Sequence, residues 1–258
     1  MSRTVNRGAV AAILASVLFW VALAVFTGLG LSGCGGSSPS DLPPAPPPAV
    51  ASCTPHVGPV AIGLYGDSTN YGETADASGN YFRAAVYPEL VIQRAMDARF
   101  GAGAVVVRTY AMNGTNVHEL LIGADEGQWG HYQAWPLGVD VDIPLENFGI
   151  NDRGHGRTPE QFAADLRTLY ALHPVVMETP LPSPDGDPGY AQIVRDVAAE
   201  VGAPLIDVSA YVKGLPAWQQ WTGDGEHPTS DGYVMLETNA VVPALVPMVA
   251  KLRCEALQ

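Results

Sequence analysis

Cysteines and basic residues are both scarce in this chain. The 258 residues include three cysteines, at positions 34, 53 and 254, and no two of them have the C-x-x-C spacing of a structural metal site. The six histidines show no ligand spacing either, so we expect no metal and no other cofactor. Lysine and arginine total 13 against 26 Asp and Glu. Such an acidic surface repels phosphate backbones, which argues against nucleic acid as a partner.

Charge is also nearly absent from the N-terminal segment. Arg3 and Arg7 are the only charged residues before position 35, and an apolar run from about residue 8 to residue 31 follows them. The run ends in Leu-Ser-Gly-Cys at residues 31–34, which is typical of a signal peptide and resembles the bacterial lipobox. The sequence therefore predicts a lipoprotein signal peptide over residues 1–34, with Cys34 lipidated. A plain membrane anchor is the alternative, because the run is long enough to span a bilayer.

A linker and one large domain are predicted after Cys34. Residues 35–56 are rich in Pro, Ser and Gly, a composition that stays extended and builds no core. Residues 57–254 form the predicted domain. We expect an exported protein held by lipid in the bacterial cell envelope; Gly35 after Cys34 would indicate the outer membrane in a Gram-negative host. Cys53 and Cys254 lie just outside the ends of the main apolar pattern, so export permits a disulfide between them, with two unpaired thiols as the alternative.

The domain alternates short apolar runs with helical stretches, which predicts an α/β fold with a mostly parallel sheet and helices on both faces. Buried strands are expected at residues 60–65, 104–110, 174–178 and 204–208, and helices at 88–100, 159–172, 189–201 and 230–252. Residues 139–148 should form another strand. Its many polar residues predict that it is unusually exposed or bent.

Four short motifs carry possible chemistry. Gly66-Asp67-Ser68, Asn113-Gly114 and Gly149-Ile150-Asn151-Asp152 each follow a predicted strand, where parallel sheets place their active sites. Asp224-Gly225-Glu226-His227 precedes the last helix, and its acid and base, three residues apart, were expected to share the face of a helical turn. Ser68 would be the nucleophile, His227 its base and Asp224 the acid that orients the base. The Asn151 side-chain amide and the backbone N–H groups of Gly114 and Ser68 would donate to the oxyanion.

These motifs resemble the SGNH hydrolases of the GDSL esterase/lipase superfamily. The resemblance covers about residues 57–252 and includes Asp231-Gly232-Tyr233 after the last motif. It implies a flavodoxin-like three-layer α/β/α sandwich, no metal cofactor, and ester hydrolysis through an acyl-serine intermediate. It also implies that Ser68, Asp224 and His227 are catalytic and that Gly114 and Asn151 bind the oxyanion. Family members often have a longer stretch before the glycine of the second motif, so Asn113 and Thr115 are alternatives to Gly114.

Several points remain open at this level. The ester substrate is a small molecule, a lipid or a saccharide, because one scaffold accepts all three. A catalytically idle envelope-binding lipoprotein and a sugar O-acetyltransferase are the competing functions. Asp152 either orients its loop or caps a turn. An aromatic cluster lies before the third motif and either overhangs the pocket or packs on the surface: Trp129, His131, Tyr132 and Trp135.

Overall fold

The computed structural model describes residues 53–123, 140–182 and 189–256, all within the unit Ala51–Gln258. Along the chain the elements are β1 (Val60–Gly66), α1 (Ser68–Tyr71), β2 (Glu73–Ala75), β3 (Tyr81–Arg83), α2 (Pro88–Phe100), β4 (Val105–Thr109), α3 (Val117–Ile122), β5 (Ile143–Asn147), α4 (Ile150–Gly154), α5 (Pro159–Leu172), β6 (Val176–Glu178), α6 (Tyr190–Val201), β7 (Leu205–Ile206), α7 (Val208–Lys213), a 3-10 helix (Trp218–Trp221), α8 (Ser230–Leu236), a π-helical segment (Glu237–Val241) and α9 (Val242–Arg253).

Five of the strands form a parallel sheet in the order β4-β1-β5-β6-β7. Because successive side chains of a strand point to opposite faces, β1 sends Ile62 and Leu64 to one side and Tyr65 to the other. Helices α2, α7, α8 and α9 cover the first face, and α3, α5 and α6 cover the second. The result is the predicted three-layer α/β/α sandwich with a mostly parallel sheet.

Local signals predicted several helix boundaries correctly. Helix α5 begins after Thr158, whose hydroxyl accepts the Gln161 N–H while the Gln161 side chain accepts the Thr158 N–H. Both bonds satisfy amides that a helix start leaves unpaired. The predicted bounds of α2 and α5 are confirmed. The last helical run, predicted over residues 230–252, spans Ser230–Arg253, with π-helical turns between α8 and α9.

Strand β5 is not exposed, although exposure was one of the two predicted explanations for its polar residues. All five of its residues are buried, and it lies between β1 and β6. Its polar residues have specific places: Asp142, just before the strand, accepts the Ala61 N–H at 2.8 Å and lies 2.8 Å from His56. Glu146 is fully buried, and burial, together with the nearby Glu178, raises its pKa well above the usual value, which favours the neutral acid. A protonated glutamate is compatible with a central strand, and the sequence pattern could not reveal its protonation state.

The two ends of the domain are joined covalently. A disulfide links Cys53 to Cys254, and the nearby His56 N–H donates to the Leu252 carbonyl at 2.8 Å. The helical run Ser230–Arg253 is long and apolar enough to span a membrane. It nevertheless supplies Leu236, Leu245 and Val249 to the core, as a core helix of a soluble domain does.

Candidate active site

Ser68 lies at the carboxyl end of β1, on a tight strand-to-helix turn. Gly66 has φ 143°, and a Cβ on it would lie 2.4 Å from the Asn147 carbonyl oxygen, so the turn requires glycine. Asp67 then caps α1 by accepting the Thr69 N–H and hydroxyl, each at 2.9 Å. Burial raises the pKa of Asp67 to about 6, although the bonds from Thr69 oppose the rise. Ser68 is thus the first residue of a rigidly held turn.

The acid and the base share a loop rather than the helical turn that we expected. An isolated antiparallel bridge between Thr222 and Pro228 closes this loop, and α8 begins only at Ser230. Within it, Asp224 Oδ1 accepts the backbone N–H of His227 at 2.7 Å. The same carboxylate reaches the ring of His227 through Oδ2. A closed loop therefore achieves the pairing that helical spacing suggested.

The structure brings Ser68, His227 and Asp224 into one hydrogen-bonded chain. Ser68 Oγ lies 2.8 Å from His227 Nε2, and His227 Nδ1 lies 2.8 Å from Asp224 Oδ2. The carboxylate only accepts, so Nδ1 carries the proton and Nε2 is free to accept from the serine hydroxyl. Burial acts to raise the pKa of Asp224, but hydrogen bonds from His227 and Glu226 outweigh it and lower the pKa overall. Asp224 is therefore held ionised beside the imidazole.

Gly114 and Asn151 follow the two strands that flank β1. Gly114 lies after β4 with φ 72°, and Asn151 lies in the first turn of α4 after β5. Asn151 Nδ2 is buried and has no hydrogen-bond partner in the described structure, as a donor awaiting an oxyanion would be. Of the alternatives to Gly114, Thr115 donates its hydroxyl to a backbone carbonyl, and Asn113 directs its amide to Glu73. Both neighbouring side chains therefore have other partners, and the Gly114 backbone N–H as oxyanion donor stays a prediction.

Asp152 holds together the two helices that follow β4 and β5, α3 and α4. Its Oδ1 accepts the Val117 N–H at 3.3 Å and so ties α4 to the start of α3. Asn116 and His155 make a second tie between the same helices at 2.9 Å. Burial raises the pKa of Asp152 well above its usual value. Of the two roles weighed for Asp152, the structure supports the one in which it orients the loops.

Two residues near His227 were missed by the sequence reasoning. Both lie on the hairpin of β2 and β3: Glu73 Oε2 is 3.7 Å from His227 Nε2, and the Tyr81 ring meets the imidazole edge-on with centroids 5.4 Å apart. Burial raises the pKa of Glu73, with His227 opposing the rise. Strands of three residues have no clear alternation, so no sequence signal pointed to this hairpin.

A buried carboxyl also lies behind the nucleophile. Glu178, on β6, lines a cavity of about 10 Å³ with Asn147 and Glu237, and its Oε1 accepts the Asn147 amide at 2.7 Å. Burial raises the pKa of Glu178 from 4.5 to about 8. The folded state therefore binds this proton more tightly than the unfolded state. Its stabilising contribution is complete below pH 4.5 and is lost as the pH rises through about 8.

Glu178→Gln should flatten this pH dependence. Glutamine keeps the acceptor for Asn147 without the titrating proton, so from pH 4.5 to 7 the variant should gain up to about 3 kcal/mol of unfolding free energy relative to wild type. Urea denaturation at pH 5, 7 and 8.5 measures the difference. Glu200→Gln is the control, because that exposed glutamate pairs with Arg167. Parallel curves for wild type and Glu178→Gln would contradict the assignment.

Some predicted features lie outside the described residues. They are the segment 1–34 with Cys34, most of the linker 35–56, and the aromatic cluster of Trp129, His131, Tyr132 and Trp135. Within the ranges 53–123, 140–182 and 189–256, no group of three or more His, Cys, Asp and Glu is arranged to hold a metal ion.

Comparison with known proteins gives one family match. The model of the GDSL-like Lipase/Acylhydrolase family matches residues 64–235, about two thirds of the chain, and this stretch includes Ser68, Gly114, Asn151, Asp224 and His227. No curated protein matches the sequence.

Solved structures share the fold at low identity. A lipase/acylhydrolase from Enterococcus faecalis is 21% identical with a TM-score of 0.55, over 74% of this chain and 95% of that one. A variant of Axe2, an acetyl xylan esterase from Geobacillus stearothermophilus, is 18% identical with a TM-score of 0.52, over 78% and 99%. LAE5, an α/β hydrolase from the metagenome of Lake Arreo, is 18% identical with a TM-score of 0.52, over 77% and 98%.

Proposed function

The chain belongs to the GDSL-like lipase/acylhydrolase family and is a serine ester hydrolase, and from this premise we propose that it acts through an acyl intermediate on Ser68. One observation carries the proposal: the unbroken chain from Ser68 Oγ through His227 to Asp224, with both links 2.8 Å long. A serine hydroxyl is a weak nucleophile, and a base at hydrogen-bond distance is what activates it. The same three residues have no reason to align in a module that only binds.

Acylation follows from the positions of these atoms. Ser68 Oγ attacks the ester carbonyl carbon while its proton moves to His227 Nε2. The carbonyl oxygen becomes an oxyanion, which accepts hydrogen bonds from the Asn151 amide and the Gly114 backbone N–H. The tetrahedral intermediate then collapses, the C–O bond to the leaving group breaks, and His227 returns its proton to the departing alkoxide. Asp224 stabilises the imidazolium throughout.

Deacylation repeats the steps with water. His227 takes a proton from the water that attacks the acyl carbon, and Ser68 leaves with that proton as the free carboxylic acid forms. We propose acetyl or other short acyl esters as substrates, with acylated saccharides and lysolipids as candidate natural forms. Tyr81 is 57% exposed and Phe82 50% exposed on the hairpin beside His227, and they offer aromatic surface to a leaving group. One structural neighbour, an acetyl xylan esterase by name, is consistent with an acylated saccharide.

Turnover of p-nitrophenyl acetate, butyrate and a longer ester tests the proposal. We expect hydrolysis by the wild-type chain, fastest with the acetate, and loss of hydrolysis in Ser68→Ala. Absence of turnover with every ester would overturn the proposal and favour the idle binding protein. Transfer of acetyl to a sugar hydroxyl in preference to water would instead indicate the O-acetyltransferase.

We also propose that the chain is exported and held in the bacterial envelope by lipid on Cys34. The supporting features are the Leu-Ser-Gly-Cys motif after the apolar run and the extended linker that follows it. Cys34→Ala should abolish incorporation of labelled palmitate and leave the signal peptide uncleaved. Cys53→Ala is the matched control and should label normally. Equal labelling of wild type and Cys34→Ala would refute the lipobox.

A further inference from the structure

The hairpin of β2 and β3 is clamped onto the loop that carries Asp224 and His227. Gly223, at the start of this loop, lies so close to the hairpin that a Cβ on it would be 2.1 Å from the Ala75 carbonyl oxygen. The Tyr233 hydroxyl, from α8, donates to the Glu73 carbonyl at 2.6 Å. The first contact fixes the backbone of β2 against the catalytic loop, and the second fixes it against α8, the helix that follows the loop. These two contacts of β2 therefore hold the Glu73 side chain in a fixed position.

Glu73 touches two parts of the active site with its two carboxylate oxygens. Oε1 accepts a hydrogen bond from Asn113 Nδ2, immediately before Gly114. Oε2 lies 3.7 Å from His227 Nε2, the atom that also faces Ser68 Oγ. The Glu73 side chain is only 14% exposed, so solvent screens its charge weakly. Glu73 thus lies between the loop that carries Gly114 and the catalytic base His227.

The distance to Nε2 determines what Glu73 can do there. At 3.7 Å the carboxylate is too far to form a hydrogen bond, so it does not compete with Ser68 or with a leaving group for the proton. It is close enough for its negative charge to favour the imidazolium that forms when Nε2 takes the proton from Ser68. Because that cation exists only after proton transfer, the stabilisation appears in the transition state and not in the resting enzyme.

We propose that Glu73 is a positioning residue for the hydrolysis, which holds Asn113 and hence the Gly114 backbone in place and stabilises the protonated form of His227. This inference rests on the proposed function, and it adds a second carboxylate on the Nε2 side of the imidazole, opposite Asp224. No sequence motif contains Glu73.

Other charged and titratable groups also face His227, and the effect of Glu73 has to be separated from theirs. They come from the loop itself, from the turn before α1, from β3 and from α4: Asp224, Glu226, Asp67, Tyr81 and, through Glu226, Arg153. Single substitution of Glu73 keeps all of these side chains, and its charge is the one that the variant removes, although that charge also acts to raise the pKa of Asp67 and of Tyr81.

Glu73→Gln separates the two parts of the role. The glutamine oxygen still accepts from Asn113, but the charge beside Nε2 is gone. We expect kcat for p-nitrophenyl acetate to fall about tenfold with KM changed by less than about threefold, because the lost interaction belongs to the transition state. The acid limb of the kcat/KM profile should move to lower pH, because without the carboxylate His227 takes up a proton less readily. A merely structural role would not move that limb in this direction.

Glu73→Ala removes the bond to Asn113 as well. We expect kcat to fall about 10²-fold, the range found when an oxyanion donor is lost. Adding Asn113→Ala to Glu73→Ala should cost little more, because the two residues act through one contact. Glu89→Gln is the matched control: it removes a carboxylate that pairs with Arg83 of the same hairpin, and it should retain wild-type kinetics.

A second measurement keeps the inference independent of activity. The NMR titration of the His227 imidazole should move to lower pH in Glu73→Gln than in wild type, whether or not an ester is turned over. An unchanged titration together with kcat within twofold of wild type overturns the inference. Loss of turnover in Ser68→Ala with no effect in Glu73→Gln would leave the proposed function standing without this role. An inactive wild type would overturn both the proposed function and this role, and a shifted titration would then show only that Glu73 and His227 interact.

Discussion

Ser68→Ala should lower kcat for p-nitrophenyl acetate by about 10⁴–10⁶-fold, which leaves only the low activity that the oxyanion donors alone can sustain. The reason is structural. Among the described contacts of His227 Nε2, only Ser68 Oγ lies at hydrogen-bond distance, so it is the atom that this base activates. Alanine removes this nucleophile and leaves nothing for the base to deprotonate except water. Initial rates over a range of ester concentrations give kcat and KM separately.

The control for this prediction is the fold of the variant. Ser68 is 4% exposed, and its carbonyl accepts the Gly72 N–H at 3.0 Å, a bond that alanine keeps, so the variant should change the thermal midpoint by less than about 3 °C. His227→Ala should lose a similar factor in kcat. The double variant should be no worse than either single one, because the two residues act as a unit. Multiplicative losses, or turnover by Ser68→Ala within tenfold of wild type, would place the nucleophile elsewhere.

The sequence revealed the site where a residue's role is encoded locally. Ser68 follows a buried apolar strand, and Asp224 and His227 are three residues apart, so a short loop can pair them wherever it folds. The start of helix α5 could be predicted equally well, because Thr158 and Gln161 form a capping box within four consecutive residues. Such features depend on neighbours in the chain rather than on distant packing.

The rest depends on contacts across long stretches of chain. Glu73 is five residues from Ser68, but its position is set by Tyr233, which is 160 residues away. Glu146 is buried in β5, and the environment that the folded sheet creates raises its pKa well above the usual value. Period-based reasoning treats a glutamate as charged and therefore predicted an exposed or locally bent strand. Both errors come from properties that exist only in the folded state.

Removing the disulfide should cause the largest loss of stability. The bridge between Cys53 and Cys254 spans a sequence separation of 201 residues. Closing so long a loop restricts the unfolded chain by an amount worth about 5 kcal/mol in the chain-entropy model, and removal of natural disulfides typically costs about 2–5 kcal/mol. For a domain of this size we expect Cys53→Ser with Cys254→Ser to lower the thermal midpoint by about 5–15 °C. Calorimetry at a fixed pH measures the change.

Activity at 25 °C should survive this substitution, because the bridge and the catalytic residues lie at opposite ends of the parallel strands. Arg253, beside Cys254, donates to the Ala104 carbonyl just before β4, whereas Ser68 follows the carboxyl end of β1. His56→Ala is the matched control: it removes the contact of the same terminal segment with Asp142 but keeps the bridge. If His56→Ala lowers the midpoint as much as the double serine variant, docking of the segment is what stabilises the fold. If only the double variant does so, the restriction of the unfolded chain is the cause.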